Sequence, residues 1–252
     1  MENYDQTQNA EFTVLGSSVH SQEASKTFVA NVFMWMFVGL LASAVTAYLF
    51  AFSGFRDLIL QATSKGVRWT TFGSVMGFLP LIFFFVIAFG LQRMSYPALV
   101  VLFLSYAVTM GISLFSIILL VYQTASVVTI FAASAAMFGV MAVLGYTTNQ
   151  DLTSFGRILM MALIGIIIAA IINVFIHSTA LNTIISMVGV AVFTGLTAYD
   201  VQKIKRIGAG IEYQGISAND TKKLAILGAF NLYLDFINLF IMLINLFGKR
   251  ND

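Results

Sequence analysis

Apolar residues come in long blocks along this chain, and they do not alternate with polar ones. A hydrocarbon core of ~30 Å needs about 20 consecutive apolar residues per helix. With polar breaks taken as helix ends, seven blocks of that size appear, roughly 28–53, 72–91, 98–121, 126–146, 157–176, 182–204 and 224–247. Four breaks are short: Gln92–Pro97, Tyr122–Ala125, Thr147–Gly156 and His177–Leu181. Two are longer, Gly54–Thr71 and Gln202–Lys223. A membrane β-barrel would show alternating segments of ~10 residues. The pattern therefore predicts an all-α integral membrane protein, a bundle of seven transmembrane helices. Its parts are a polar, flexible N-terminal tail (1–27), a helical domain (28–247) and a short C-terminal tail (248–252). Pro80 lies inside the second block and is expected to kink it.

Composition supports the membrane assignment. Of 252 residues, 59% are hydrophobic and only 10% charged, against about 25% charged in soluble domains. The mean hydropathy is +0.91. Cysteine is absent, which excludes disulfides, thiolate zinc sites and iron–sulfur ligation. The two histidines, His20 and His177, lack any HExxH or HxxxH spacing. A net charge of +2 is too small to suggest nucleic-acid binding, and no phosphate-binding loop sequence is present. No cofactor is expected, and no catalytic residue is assigned. The lipid bilayer is the first expected partner.

Lysine and arginine in the breaks set the orientation. With the N-terminus inside, eight fall on inner segments (Lys26, Arg93, Arg157, Lys203, Lys205, Arg206, Lys222 and Lys223) and five on outer ones. This favours a cytoplasmic N-terminus. The cluster Lys203, Lys205 and Arg206 serves as a topology anchor or as a contact for anionic head groups.

Two acidic residues depart from the apolar pattern. Asp200 lies near the inner end of the sixth block, and Asp235 near the middle of the seventh. A carboxylate at bilayer depth is costly, by ~2.5–3.5 kcal/mol on insertion scales, and such residues usually face the bundle interior and mark an ion or proton path. On a helical projection Asn231, Asp235, Asn238 and Asn245 fall within an arc of roughly 80°. Thr194, Thr197 and Asp200 spread over about 120°. These side chains offer oxygen ligands only, the set preferred by hard cations such as Ca²⁺. Asp200 and Asp235 are thus a candidate Ca²⁺ site. Two carboxylates in a poorly solvated place titrate as a pair. Deprotonation would create a cation site, and protonation would close the pair into a hydrogen bond. The alternatives are an i,i+3 pair of Asp200 with Lys203 and a purely structural interhelical bond from Asp235. The asparagines serve equally well as interhelical glue.

The segments TGLTAYDVQKIKRI (194–207) and LYLDFINLFIMLINL (232–246) resemble the Bax inhibitor family, with the bacterial seven-helix branch the nearest. That resemblance implies a central helix surrounded by the others, a bacterial inner membrane, and a pH-sensitive calcium leak whose aspartate pair matches Asp200 and Asp235. It also implies a latch by an arginine late in the second helix, for which Arg93 is the candidate. The family resemblance and the residues together favour a passive Ca²⁺ leak gated by protons. An exchanger of Ca²⁺ for H⁺ and a non-transport regulator of a membrane protease or other membrane partner are the rivals. An intramembrane aspartyl protease lacks its GxGD motif here.

Overall fold

A computed structural model describes residues 2–249 apart from 53–54, 64–65, 91–93, 116–117 and 119–120. The elements in order are α1 (Glu2–Phe52), α2 (Arg56–Ile59), β1 (Leu60–Thr63), β2 (Gly66–Trp69), α3 (Thr71–Gly90), α4 (Tyr96–Met110), α5 (Thr124–Thr147), α6 (Thr153–Ile176), α7 (Thr179–Tyr213) and α8 (Ala218–Phe247). Among the described residues six helices are long and apolar enough to cross a membrane, and α3 presents a shorter apolar stretch, Thr71–Ile87. The fold is an all-α membrane bundle with one small hairpin.

The bundle is organised around α8. It packs against α7, α1, α5 and α4, and most of its apolar span is enclosed. Leu232, Tyr233 and Leu239 are fully buried. A helix surrounded on all sides must be apolar all round, and α8 meets that demand apart from a few polar side chains. By contrast, α6 turns most of its apolar surface outward, where Phe175 and Val174 are among the exposed residues. With little hydrophobic drive between helices in lipid, close packing holds such bundles together. Gly145 of α5 crosses α7 so closely that an added Cβ would strike the backbone of Ala198.

Local chemistry explains the ends of the elements. His177 caps α6 in the left-handed region at φ 55° and donates its N–H to the Asn173 carbonyl. Ser217 caps α8, its hydroxyl accepting from the Asp220 N–H at 3.1 Å. Gly215, at φ 58°, makes the reversal between α7 and α8. Beyond α4 a π-helical turn covers Gly111–Phe115. Just before that turn the hydroxyls of Ser43 and Thr46 on α1 donate to the Ala107 and Val108 carbonyls, at 2.7 and 3.4 Å. Side chains from a neighbouring helix thus serve carbonyls where the regular ladder shifts.

Regular structure extends further than the polar breaks suggest. The break at 202–223 is not a long loop, because α7 continues to Tyr213 and only Gln214–Ser217 separates it from α8. Polar residues at a helix end look like a loop by hydropathy, yet no proline lies between Gln202 and Tyr213, and the helix runs through Gly208 and Gly210 at a cost of about 1 kcal/mol each. The break at 54–71 holds α2 and an antiparallel hairpin in which Leu60 faces Trp69 and Thr63 faces Gly66. The N-terminal segment is helical from Glu2, and Ser25, assigned to a tail by polarity, is buried and donates to the Lys205 carbonyl at 3.0 Å. α3 runs continuously through Pro80.

The α5–α7 crossing gives a first prediction. Gly145→Ala should destabilise the purified protein by about 1–3 kcal/mol, the usual range for overpacking. Gly165→Ala, at a position where an added Cβ meets nothing within 4 Å, should leave thermal unfolding in detergent unchanged.

Candidate functional site: an enclosed carboxyl pair

Asp200 and Asp235 are brought together. Their carboxyl groups are within hydrogen-bonding reach of each other. Asp235 is 6% exposed, and Asp200 is half-buried. The extension of α7 makes this meeting possible. Asp200 stands 13 residues before Tyr213, and Asp235 stands 17 after Ala218. In an antiparallel helical hairpin the two differ in depth by about one turn, ~6 Å, which side chains can span. Among the described residues the Oδ2 of Asp235 has no hydrogen-bond partner. Lys203 makes no direct ion pair with Asp200 among the described residues. The i,i+3 pairing is therefore not what holds Asp200.

A cavity of about 420 Å³ reaches Asp200 from the end of the bundle that carries Lys203. Asp200, Lys203 and Asn231 line it, with Phe28, Phe84 and Phe230 around them. Asn231 thus joins the site, while Asn238 is half-buried about two turns further on. Thr197 is buried, but its hydroxyl donates to the Phe193 carbonyl of its own helix at 2.8 Å. Asn245 accepts from the Tyr122 hydroxyl at 3.4 Å and acts as interhelical glue. Arg93, the candidate latch, lies outside the described residues. Past Asp235, α8 presents Phe236, Ile237, Leu239 and Phe240, each no more than 2% exposed. The bundle is closely packed on that side. Among the described residues no three acidic or histidine side chains converge, so the pair is the whole carboxylate complement for a cation.

Two features escaped the sequence reading. Two residues before Asp235 on α8, Tyr233, fully buried, shares a hydrogen bond of 2.7 Å with Ser43. Its ring stacks edge-on with Phe103 and Tyr106 at 5.8 Å. Tyr233 lies inside the quoted motif, two residues before Asp235, which was the available signal. The second is a clasp at the inner end. Buried Gln202 accepts from the Leu152 N–H at 2.9 Å and from Arg206 at 2.7 Å, and donates to the Gln150 carbonyl at 2.7 Å. Arg206 also bonds Asp151 at 2.6 Å and the Thr153 hydroxyl at 2.9 Å. The Thr153 hydroxyl, then Arg206, hold the Asp151 carboxyl well below the usual carboxylate range. A group so depressed contributes its stability above its unfolded pKa and loses it only as pH falls through the folded one. The clasp therefore stays ionised through neutral and mildly acidic pH.

These features define a helical membrane protein with a carboxyl pair enclosed between its central helix and a neighbour. Residues 25–252 match the family model described as "Inhibitor of apoptosis-promoting Bax1", and the chain belongs to the Bax inhibitor family. It is 41% identical over 234 residues to the inner membrane protein YbhL of Escherichia coli, covering 93% of this chain and 96% of that one. A protein of Deinococcus radiodurans is 38% identical over 226 residues, covering 90% and 92%. One of Borreliella burgdorferi is 38% identical over 235 residues, covering 89% and 93%.

The clasp gives a second prediction. Gln202→Ala leaves the Leu152 N–H and the Gln150 carbonyl without their partner, and should cost about 1–3 kcal/mol in thermal unfolding. Asp151→Asn, at the exposed end of the same network, should move the midpoint far less.

Proposed function

We propose that this protein is a passive Ca²⁺ leak of a bacterial inner membrane, gated by the protonation of Asp200 and Asp235. The observation that carries the reading is the meeting of these two carboxyl groups at the end of the cavity between α1, α3, α7 and α8. A carboxylate only accepts hydrogen bonds, so two carboxyls in contact need a proton between them. In that state the pair ties α7 to α8 and the bundle is closed. Loss of the proton leaves two negative charges side by side, which either part or take up a cation. Two carboxylates and Asn231 provide fewer oxygens than the 6–8 of a tight Ca²⁺ site. Such a site suits passage more than retention.

In this reading α3 is the seventh span, its 20 residues being about 30 Å long. The N-terminus is cytoplasmic. Lys26, Lys205 and Arg206 gather around one cavity at a single end of the bundle, as the excess of basic residues on inner segments requires. Ca²⁺ and H⁺ are the ions handled, and the reaction is transport with no enzymatic step. YbhL carries the words "inner membrane" in its name, which supports the assignment of the host membrane.

The test is Ca²⁺ flux into proteoliposomes scanned over pH ~5–8, the range in which perturbed carboxyl pairs titrate. Wild type should show a transition. Asp200→Asn and Asp235→Asn should each abolish it or displace it by about one unit or more. Unchanged pH–flux curves in both variants would sink the proposal. A pH gradient that alone drives Ca²⁺ uphill would identify an exchanger instead.

A further inference from the structure

α1 and α5 scarcely touch, although each packs firmly on α7. The gap between them is a groove with α7 as its floor. An apolar cavity of about 470 Å³ lies along it, lined by Val29, Phe33, Gly139, Val143 and Val201. At one end Lys26 and Tyr146 are shared with a second, polar cavity of about 520 Å³. From Lys26 to Phe33 and from Tyr146 to Gly139 is seven residues, so the apolar stretch runs about 10 Å inward from the charged mouth.

The mouth is basic. Lys26, Lys205 and Arg206 line it, and none of its lining residues is acidic. Arg206 is compensated by Asp151. Lys205 donates to the Tyr146 carbonyl at 2.7 Å and lies 5.0 Å from the centre of that ring, which leaves donors of its ammonium free. Lys26 is exposed and has no partner among the described residues. Two positive charges therefore sit at the top of an apolar slot that opens towards lipid.

We propose that this groove binds one anionic phospholipid of the adjoining leaflet, its phosphate between Lys26 and Lys205 and an acyl chain against Phe33, Gly139, Val143 and Val201. The charge at the mouth and the apolar character of the slot each match one part of such a molecule. A free phosphate would leave the slot empty, and a zwitterionic lipid would bring a cation to a positive mouth. The bound lipid would bridge α1 and α5, which the protein itself leaves apart, and would press on the face of α7 that carries Val201, next to Asp200.

The experiment is native mass spectrometry of the full-length protein, delipidated in detergent and titrated with phosphatidylglycerol or with phosphatidylcholine of identical chains. Wild type should retain one phosphatidylglycerol in preference. Lys26→Gln should weaken phosphatidylglycerol binding about fivefold, the factor expected for one basic residue at a membrane surface, and leave phosphatidylcholine unchanged. Gly139→Leu, at a position where an added Cβ meets nothing within 4 Å, should weaken both lipids without lowering the melting temperature. Glycerophosphoglycerol, the head group without chains, should not compete. A preference that survives Lys26→Gln, binding indifferent to Gly139→Leu, or competition by the bare head group as effective as the lipid would each overturn the proposal.

Discussion

A carboxyl group on a helix enclosed by other helices has to find its partner inside the bundle. Water cannot reach it freely, and an isolated charge in that place costs far more than a paired one. Asp235 sits on α8, the helix the others pack around, and Asp200 on α7 meets it. Much of the remaining architecture follows from this requirement. α7 has to run past the membrane boundary so that Asp200 comes to the depth of Asp235. The turn between α7 and α8 has to be tight, which Gly215 and the Ser217 cap provide. The rings of Phe103, Tyr106, Phe230 and Tyr233 interlock around α8, and Phe230 shares the cavity with Asp200.

Polar contacts in the bundle separate into two kinds. Some fix the frame: the Gln202 clasp, the Ser25–Lys205 bond and the hydroxyls of Ser43 and Thr46 at the π-helical turn all find partners. The carboxyl pair differs, because one oxygen of Asp235 is left without a partner and the neighbouring cavity brings polar access to the other member. A satisfied network is rigid, whereas an unpaired buried polar atom is costly in a low dielectric. Under the proposed function the frame would hold still while the pair gains and loses its proton.

Much of this was legible in the sequence because membrane helices obey a simple length rule. The segments at His177 and at Thr147–Gly156 broke where polar residues broke the apolar blocks. The two aspartates stood out because each is an acid within an apolar block. The inner end of α7 was misread because Gln202, Lys203, Lys205 and Arg206 lower hydropathy without ending a helix. Their role depends on contacts with residues fifty positions away, such as Gln150 and Asp151, which no local pattern encodes. Thr197 shares its helix with Asp200, yet its hydroxyl bonds its own backbone, a choice that spacing alone does not reveal. Asn231 and Asn238 have identical chemistry and nearly the same helical phase, but only Asn231 lines the cavity.

The most direct test of a proton shared between the two aspartates is pH-difference infrared spectroscopy of the protein in lipid. A protonated carboxyl has a carbonyl stretch distinct from that of a carboxylate. The account predicts one such band that disappears with rising pH, and that changes in both Asp200→Asn and Asp235→Asn because the proton belongs to the pair. A band that persists unchanged in either variant, or the absence of any titrating carboxyl in wild type, would contradict it.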